Sequence, residues 1–270
     1  MKKFVIASAI LSALAVTGTA NAYQAEIGAS GSWIDPDNGS ADGQYGVNGT
    51  YYFKPVQTRN SPLAEAAFLD RASNVDAFYS YNQVESNFQD IENHRYGAGV
   101  EVYIPNSNFY VSGELSRHTQ DIDTVLGNYD RNVTYYGAEV GYLPTPGLLV
   151  AVGLKGYDLE DDRLNDEDGV DPTLRAKYVT TLANGKDINL EAGAAFGDLD
   201  EYNVKADYYF DKTFSAGVDY YNNDLTDNDE FGINARKFFT PQFSLEGRVG
   251  FGEVGNNDYN RYGVAAKYRF

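Results

Sequence analysis

The sequence predicts an all-β fold: a transmembrane antiparallel up-and-down β-barrel of about 14 strands. Three observations carry this expectation. Apolar and polar residues alternate almost without interruption after residue 22. Most alternating segments are about ten residues long, enough for a tilted strand to cross a bilayer. The connectors alternate between short turns and longer acidic stretches, the asymmetry of periplasmic turns and outer loops.

Composition narrows the alternatives. The chain has 270 residues, with 39 acidic and 21 basic side chains and a net charge of -18. Such an excess of carboxylates argues against nucleic acid as a partner, because a phosphate backbone is bound by Lys and Arg. With no Cys there is no disulfide framework, thiolate zinc site or iron–sulfur site. An aromatic content of 14% is too high for a disordered chain. No apolar run after the first twenty residues is long enough for a membrane helix.

The chain opens as a secretory address. Met1-Lys2-Lys3 is basic, Phe4 to Val16 is apolar, and Ala20-Asn21-Ala22 is an Ala-x-Ala cleavage site. Residues 1–22 are therefore expected to be a signal peptide, and 23–270 the barrel. The context is the envelope of a Gram-negative bacterium.

Period two defines the strands, since successive side chains of a strand point to opposite faces. The expected spans are 23–34, 44–53, 74–82, 94–104, 109–118, 133–143, 148–157, 172–182, 188–196, 202–210, 214–221, 231–239, 243–252 and 259–270. In the second, Tyr45, Val47, Tyr51 and Phe53 alternate with Gly46, Asn48 and Thr50. In the fourth, Tyr96, Ala98, Val100 and Val102 alternate with Arg95, Gly97, Gly99 and Glu101. The eighth sets Leu174, Ala176 and Tyr178 against Arg175 and Lys177, and the tenth sets Tyr202, Val204 and Ala206 against Lys205 and Asp207. The last sets Tyr262, Val264, Ala266 and Tyr268 against Arg261, Lys267 and Arg269. Aromatic clusters at strand ends, such as Tyr51-Tyr52-Phe53 and Tyr208-Tyr209-Phe210, read as interfacial girdles rather than a sandwich core. The terminal Phe270 on an alternating strand is expected to be read by the barrel-insertion machinery.

Several words in the chain carry a family resemblance. They are Tyr23-Gln24, Gly49 through Lys54, the distinctive run Pro62-Leu63-Ala64-Glu65-Ala66-Ala67-Phe68-Leu69, Leu149 through Gly153, Lys177-Tyr178-Val179 and Arg269-Phe270. On these residues the chain resembles the Acinetobacter-type porin family of small outer-membrane channel proteins. The resemblance implies a monomeric fourteen-stranded barrel that passes water and small solutes. The outer loops do not match, so nothing about them is carried over.

Charge is distributed unevenly. The outer connectors, taken as 35–43, 83–93, 119–132, 158–171, 197–201, 222–230 and 253–258, hold 26 of the 39 acidic residues and only Arg131 and Arg163 among the bases. They can solvate the surface, enrich cations at the mouth, or bridge through divalent ions to lipopolysaccharide. Outer-membrane lipid and lipopolysaccharide are the expected surroundings. Neither Asp35-x-Asp37-x-Gly39 nor Asp166-x-Asp168-Gly169 has a full calcium-loop spacing, and no cofactor is expected.

The polar strand face is mixed in sign, and lipid would penalise charges there, so it must line the interior. The candidate pore-lining residues are Glu101, Glu114, Glu139, Arg175, Lys177, Lys205, Asp207, Asp219, Arg236, Arg248, Arg261 and Lys267. In a closed ring strand five faces strand twelve and strand six faces thirteen, so strands four to six confront strands twelve to fourteen. The carboxylates Glu101, Glu114 and Glu139 are expected to oppose Arg236, Arg248 and Lys267 as an acidic wall against a basic one. An enzyme finds little support: His94 and His118 fall on opposite faces of the wall, and His118 beside Ser116 and Asp121 is a weak constellation. A diffusion channel is the favoured function. The competing one is a structural or adhesive barrel, with a closed lumen, acting through its outer loops.

One connector is out of place. Lys54 to Ser73 lies on the side of the short turns yet is about twenty residues long, against the turn lengths expected there. Ser61-Pro62 reads as a helix start, with Pro in the first turn and Leu63, Ala66, Ala67 and Phe68 as an apolar stripe. Pro62, Leu63 and Phe68 thus mark a candidate periplasmic plug, the alternatives being an inner-leaflet helix or a plain extended turn.

Overall fold

The structure, a computed structural model, describes residues 22–39, 41–85, 89–124, 127–163 and 166–270. The expected signal peptide lies outside the described residues apart from Ala22, which opens the first strand. Fourteen strands form one closed antiparallel ring: β1 Ala22–Pro36, β2 Asp42–Gln57, β3 Asn74–Glu85, β4 Gln89–Tyr103, β5 Phe109–Thr124, β6 Gly127–Thr145 and β7 Leu148–Asp161, then β8 Glu167–Thr181, β9 Asp187–Ala195, β10 Glu201–Asp211, β11 Phe214–Asn223, β12 Asn228–Phe238, β13 Phe243–Val254 and β14 Asn257–Arg269. Each strand pairs with its sequence neighbours, and β1 pairs with β14 from Glu26↔Arg269 to Pro36↔Tyr259. Closure removes the free sheet edges that an open sheet would expose to lipid.

Period two sorts the side chains as expected. Leu115, Val140, Val152 and Leu154 stand on the outer surface, each more than half exposed. They belong against acyl chains, not against a protein core. Trp33, Tyr45, Tyr96 and Tyr262 ring this belt toward the outer end, and Phe53, Phe109, Tyr142 and Phe239 toward the other.

The outer ends depart from expectation. Gln89 pairs with Thr124, Thr124 with Gly127, and Arg131 with Asp161, so 89–93, 119–124, 127–132 and 158–161 are strand rather than loop. β6 reaches 19 residues. Above the bilayer a ladder needs only its own backbone hydrogen bonds, and water accepts polar side chains on both faces. Apolar alternation therefore fades there while pairing continues. The opposite turns are short as expected. Gly147 adopts φ +78 in the β6–β7 turn, where a Cβ would approach the Val179 carbonyl to 2.2 Å. In the β10–β11 turn, the Thr213 amide and hydroxyl each donate to Asp211 at 2.6 Å, holding that carboxyl below its usual range.

Candidate functional site

The β2–β3 connector does not lie under the barrel; it enters it. Pro62 is extended (φ -54, ψ 132) and stands just before a 3-10 turn, Leu63–Glu65, that runs into a single α-helical turn α1, Ala66–Leu69. Pro62 is thus the residue before the helical start and not part of its first turn, because its ψ is extended. Of the apolar stripe, Leu63 and Ala66 are buried and Ala67 and Phe68 half-buried. Ala66 packs with Tyr23, Tyr52, Val56 and Ala72, while Phe68 packs against Tyr110, Leu143 and Leu149.

Polar bonds fasten this segment around the ring. The Leu63 amide donates to the Lys212 carbonyl at 2.8 Å, and Arg269 Nη1 donates to the Leu63 carbonyl at 2.8 Å. Glu65 accepts from Tyr209 at 2.6 Å and pairs with Lys177 at 2.9 Å. Arg71 Nη1 donates to Asn108 Oδ1 at 2.9 Å and to the Ser107 carbonyl at 3.2 Å. The contacts reach β8, β10, β14 and the β4–β5 turn, so the segment crosses the whole lower lumen.

Above it lies a cavity of about 640 Å³ lined by Glu65, Ala67 and Phe68 below and by Glu101, Glu114, Glu139, Arg175 and Lys177 on the walls. Arg248 and Arg261 line a second cavity with Glu246. Lys205, Asp207, Asp219, Arg236 and Lys267 alternate onto the same inner face of their strands.

Opposed walls do not form. Arg175 pairs with Glu139 at 2.8 Å, and its Nη2 also donates to Tyr110 at 3.1 Å. Arg236 Nε donates to Glu246 at 2.6 Å. Arg248 bridges Asp219 and Glu230, and Arg261 meets Glu230 at 2.7 Å. Lys205 pairs with Asp207 at 3.2 Å. Glu101 accepts from Tyr110 at 2.6 Å and from Asn74 at 3.0 Å. Most of the expected basic wall is therefore neutralised by carboxylates one or two strands away. A lone charge in a narrow lumen has lost much of its water, and a neighbouring opposite charge replaces it. Among the described residues Lys267 has no such bond, and it lies among Glu26, Arg236, Arg269 and Glu246.

Two features were not legible in the sequence. Arg269, only 4% exposed, donates to Glu26 at 2.7 Å and lies between the rings of Tyr23 and Phe238. At the other end the β9–β10 connector turns inward. Buried Asp171 accepts from the Asp198 amide at 3.0 Å and the Leu199 amide at 2.6 Å, and Leu199 packs with Val133 and Tyr157. Gly197 (φ +142) permits this, since a Cβ there would meet Asp171. The residue count of the connector gave no sign of it. The histidines separate as expected: His94 bonds Tyr79 at 2.8 Å on the outer face, whereas His118 lines an inner cavity.

A closed antiparallel ring with an apolar girdled exterior and a charged interior defines an outer-membrane β-barrel of the channel class. The chain belongs to the family described as "Putative general bacterial porin", whose model matches residues 1–168. The crystal structure of outer membrane protein Omp33 of Acinetobacter baumannii is similar over 92% of this chain and 99% of that one, with a TM-score of 0.67 and 27% identity. Outer membrane porin F of Xenorhabdus nematophila is 37% identical over 111 residues, spanning 40% of this chain but only 28% of that relative's length. The toluene transporter TodX of Pseudomonas putida shares the fold at 7% identity and a TM-score of 0.52, over 93% of this chain and 90% of that one. The protein is an outer-membrane protein of a Gram-negative bacterium.

Proposed function

We propose that this chain is a passive diffusion channel for water and small polar solutes or ions, with the β2–β3 connector as a periplasmic plug. The observation that carries the reading is the charged cavity whose floor is Glu65, Ala67 and Phe68. An interior built only for stability would be filled with apolar side chains at crystal-like density. Instead it retains open volume bounded by ion pairs, which cost desolvation unless water remains. The reading is of transport without catalysis. Phe270 fits a role in insertion: its carbonyl accepts from the Gln24 and Ala25 amides at the β1–β14 seam that closes the ring.

A second reading, a structural or adhesive barrel with a closed lumen, is favoured by that same plug. Single-channel recording in a planar bilayer separates the two. A channel gives discrete conductance steps, rarer in the full chain than in a folded variant lacking 62–69. If neither protein conducts, the closed structural barrel is the correct reading.

A further inference from the structure

Nearly every lumen cation has a carboxylate partner. Among the described residues of the strands, Arg95 and Lys267 are the exceptions, and Lys267 sits at the plugged end beside Arg236 and Arg269. Arg95 stands in the outer half, exposed to the interior, with its guanidinium 5.7 Å from the centroid of the Phe78 ring. It lines a cavity of about 550 Å³ that also holds Asp76 and Glu114. Those two carboxylates likewise take no hydrogen bond or ion pair among the described residues.

Strand register explains why these charges stay apart. Asp76 and Glu114 flank Gly99 on either side, while Arg95 lies four residues up the same strand. That separation is about 13 Å along the backbone at ~3.3 Å per residue. Between them the wall is stripped. Gly97 lies under the Phe78 ring, whose edge would sit 2.8 Å from a Cβ there, and Gly99 lies under the Asp76 carboxylate, 2.7 Å from a Cβ. One guanidinium and two carboxylates thus face the same cavity, with the Phe78 ring lying between them over Gly97. Tyr221, on β11, bounds the cavity from the opposite wall. The site lies on the outer side of the plug and can fill from the external solution.

We propose that this groove is a binding subsite for small zwitterionic amino carboxylates. The solute carboxylate meets the Arg95 fork, whose planar donors match a carboxylate in two parallel bonds. The solute ammonium meets Asp76 and Glu114. An anion alone gains Arg95 but is repelled at the other end, and a cation alone the reverse, so the site selects solutes that carry both charges. Among the described residues, the ion pairs elsewhere in the lumen offer no such vacancy, because each of their charges is already satisfied within the wall.

The proposal rests on the channel reading for its purpose but is tested without conduction. Ligand-observed NMR on the detergent-solubilised full chain compares serine, lactate, ethanolamine and glycerol. Serine should bind most tightly and glycerol least. Arg95→Gln should weaken serine and lactate about threefold to fivefold, the range of an exposed ion pair, and leave ethanolamine unweakened. Asp76→Asn with Glu114→Gln should weaken serine and ethanolamine and strengthen lactate. Retained heat-modifiability certifies the fold of each variant, and the two act at opposite ends of the groove, so either alone suffices. Serine binding no tighter than lactate and ethanolamine, or serine binding unchanged in a folded variant, overturns the proposal. Serine binding in a chain that never conducts would instead leave the subsite standing and reject the channel.

Discussion

Tyr209 on β10 donates its hydroxyl to Glu65 at 2.6 Å, tying the β2–β3 connector to the wall seven strands away. Lys177 on β8 holds the other carboxylate oxygen at 2.9 Å while its ammonium lies 5.0 Å from the Phe68 ring centroid. Both wall residues pull on one side chain of the plug. Glu65→Ala should therefore loosen the segment without touching the barrel ladder. The expected outcome in bilayers is a higher open probability with unchanged heat-modifiability. An unchanged open probability would show that the backbone bonds of Leu63 suffice to hold the plug.

The pairing of Arg248 with Asp219 and Glu230 makes it a hub rather than a free wall charge. Arg248→Gln leaves Asp219 without its ion-pair partner, and Glu230 keeps Arg261. The lumen gains net negative charge at that height, and the narrow low-dielectric wall focuses it. Reversal potential in a salt gradient should shift toward cations. Replacing Lys267, which has no bonded partner to release, should shift it the same way with a smaller loss of stability.

Val152 lies on the lipid face, 53% exposed, and pairs with Val140 between the two aromatic rings. Val152→Arg should destabilise the barrel by about 2–4 kcal/mol, the depth-dependent cost of a basic residue facing acyl chains. Urea unfolding in lipid vesicles reads the difference. Thr173→Arg, on the inner face of β8, should cost less because the lumen holds water and carboxylates.

Asp171 clamps the inward β9–β10 connector through two amides. Asp171→Ala leaves the buried Leu199 amide without an acceptor, worth about 1–3 kcal/mol, and frees the more exposed Asp198 amide to water. Limited proteolysis of intact cells or proteoliposomes should then cut near residues 197–200 more readily than in the native protein. Equal protection in the variant would mean that the packing of Leu199 against Val133 and Tyr157 is sufficient by itself.

The sequence by itself determined the strands, their number and their two faces. A strand's period is local, and a membrane forces every apolar row outward, so the pattern of Tyr96, Ala98 and Val100 against Gly97, Gly99 and Glu101 needs no knowledge of partners. It also exposed the connector after β2 as too long for a turn. The pairing of charges and the path of the plug were decided only by the tertiary structure. Glu65 meets Lys177 and Tyr209 because ring closure brings β8 and β10 around to face β2 and β3, over more than a hundred residues of chain. Opposed acidic and basic walls were expected from strand count alone, yet Arg236 found Glu246 and Arg175 found Glu139 nearby. Register and side-chain reach settle such pairings. Neither is written in the period of a strand, so the same alternation that fixed the barrel left its interior undetermined.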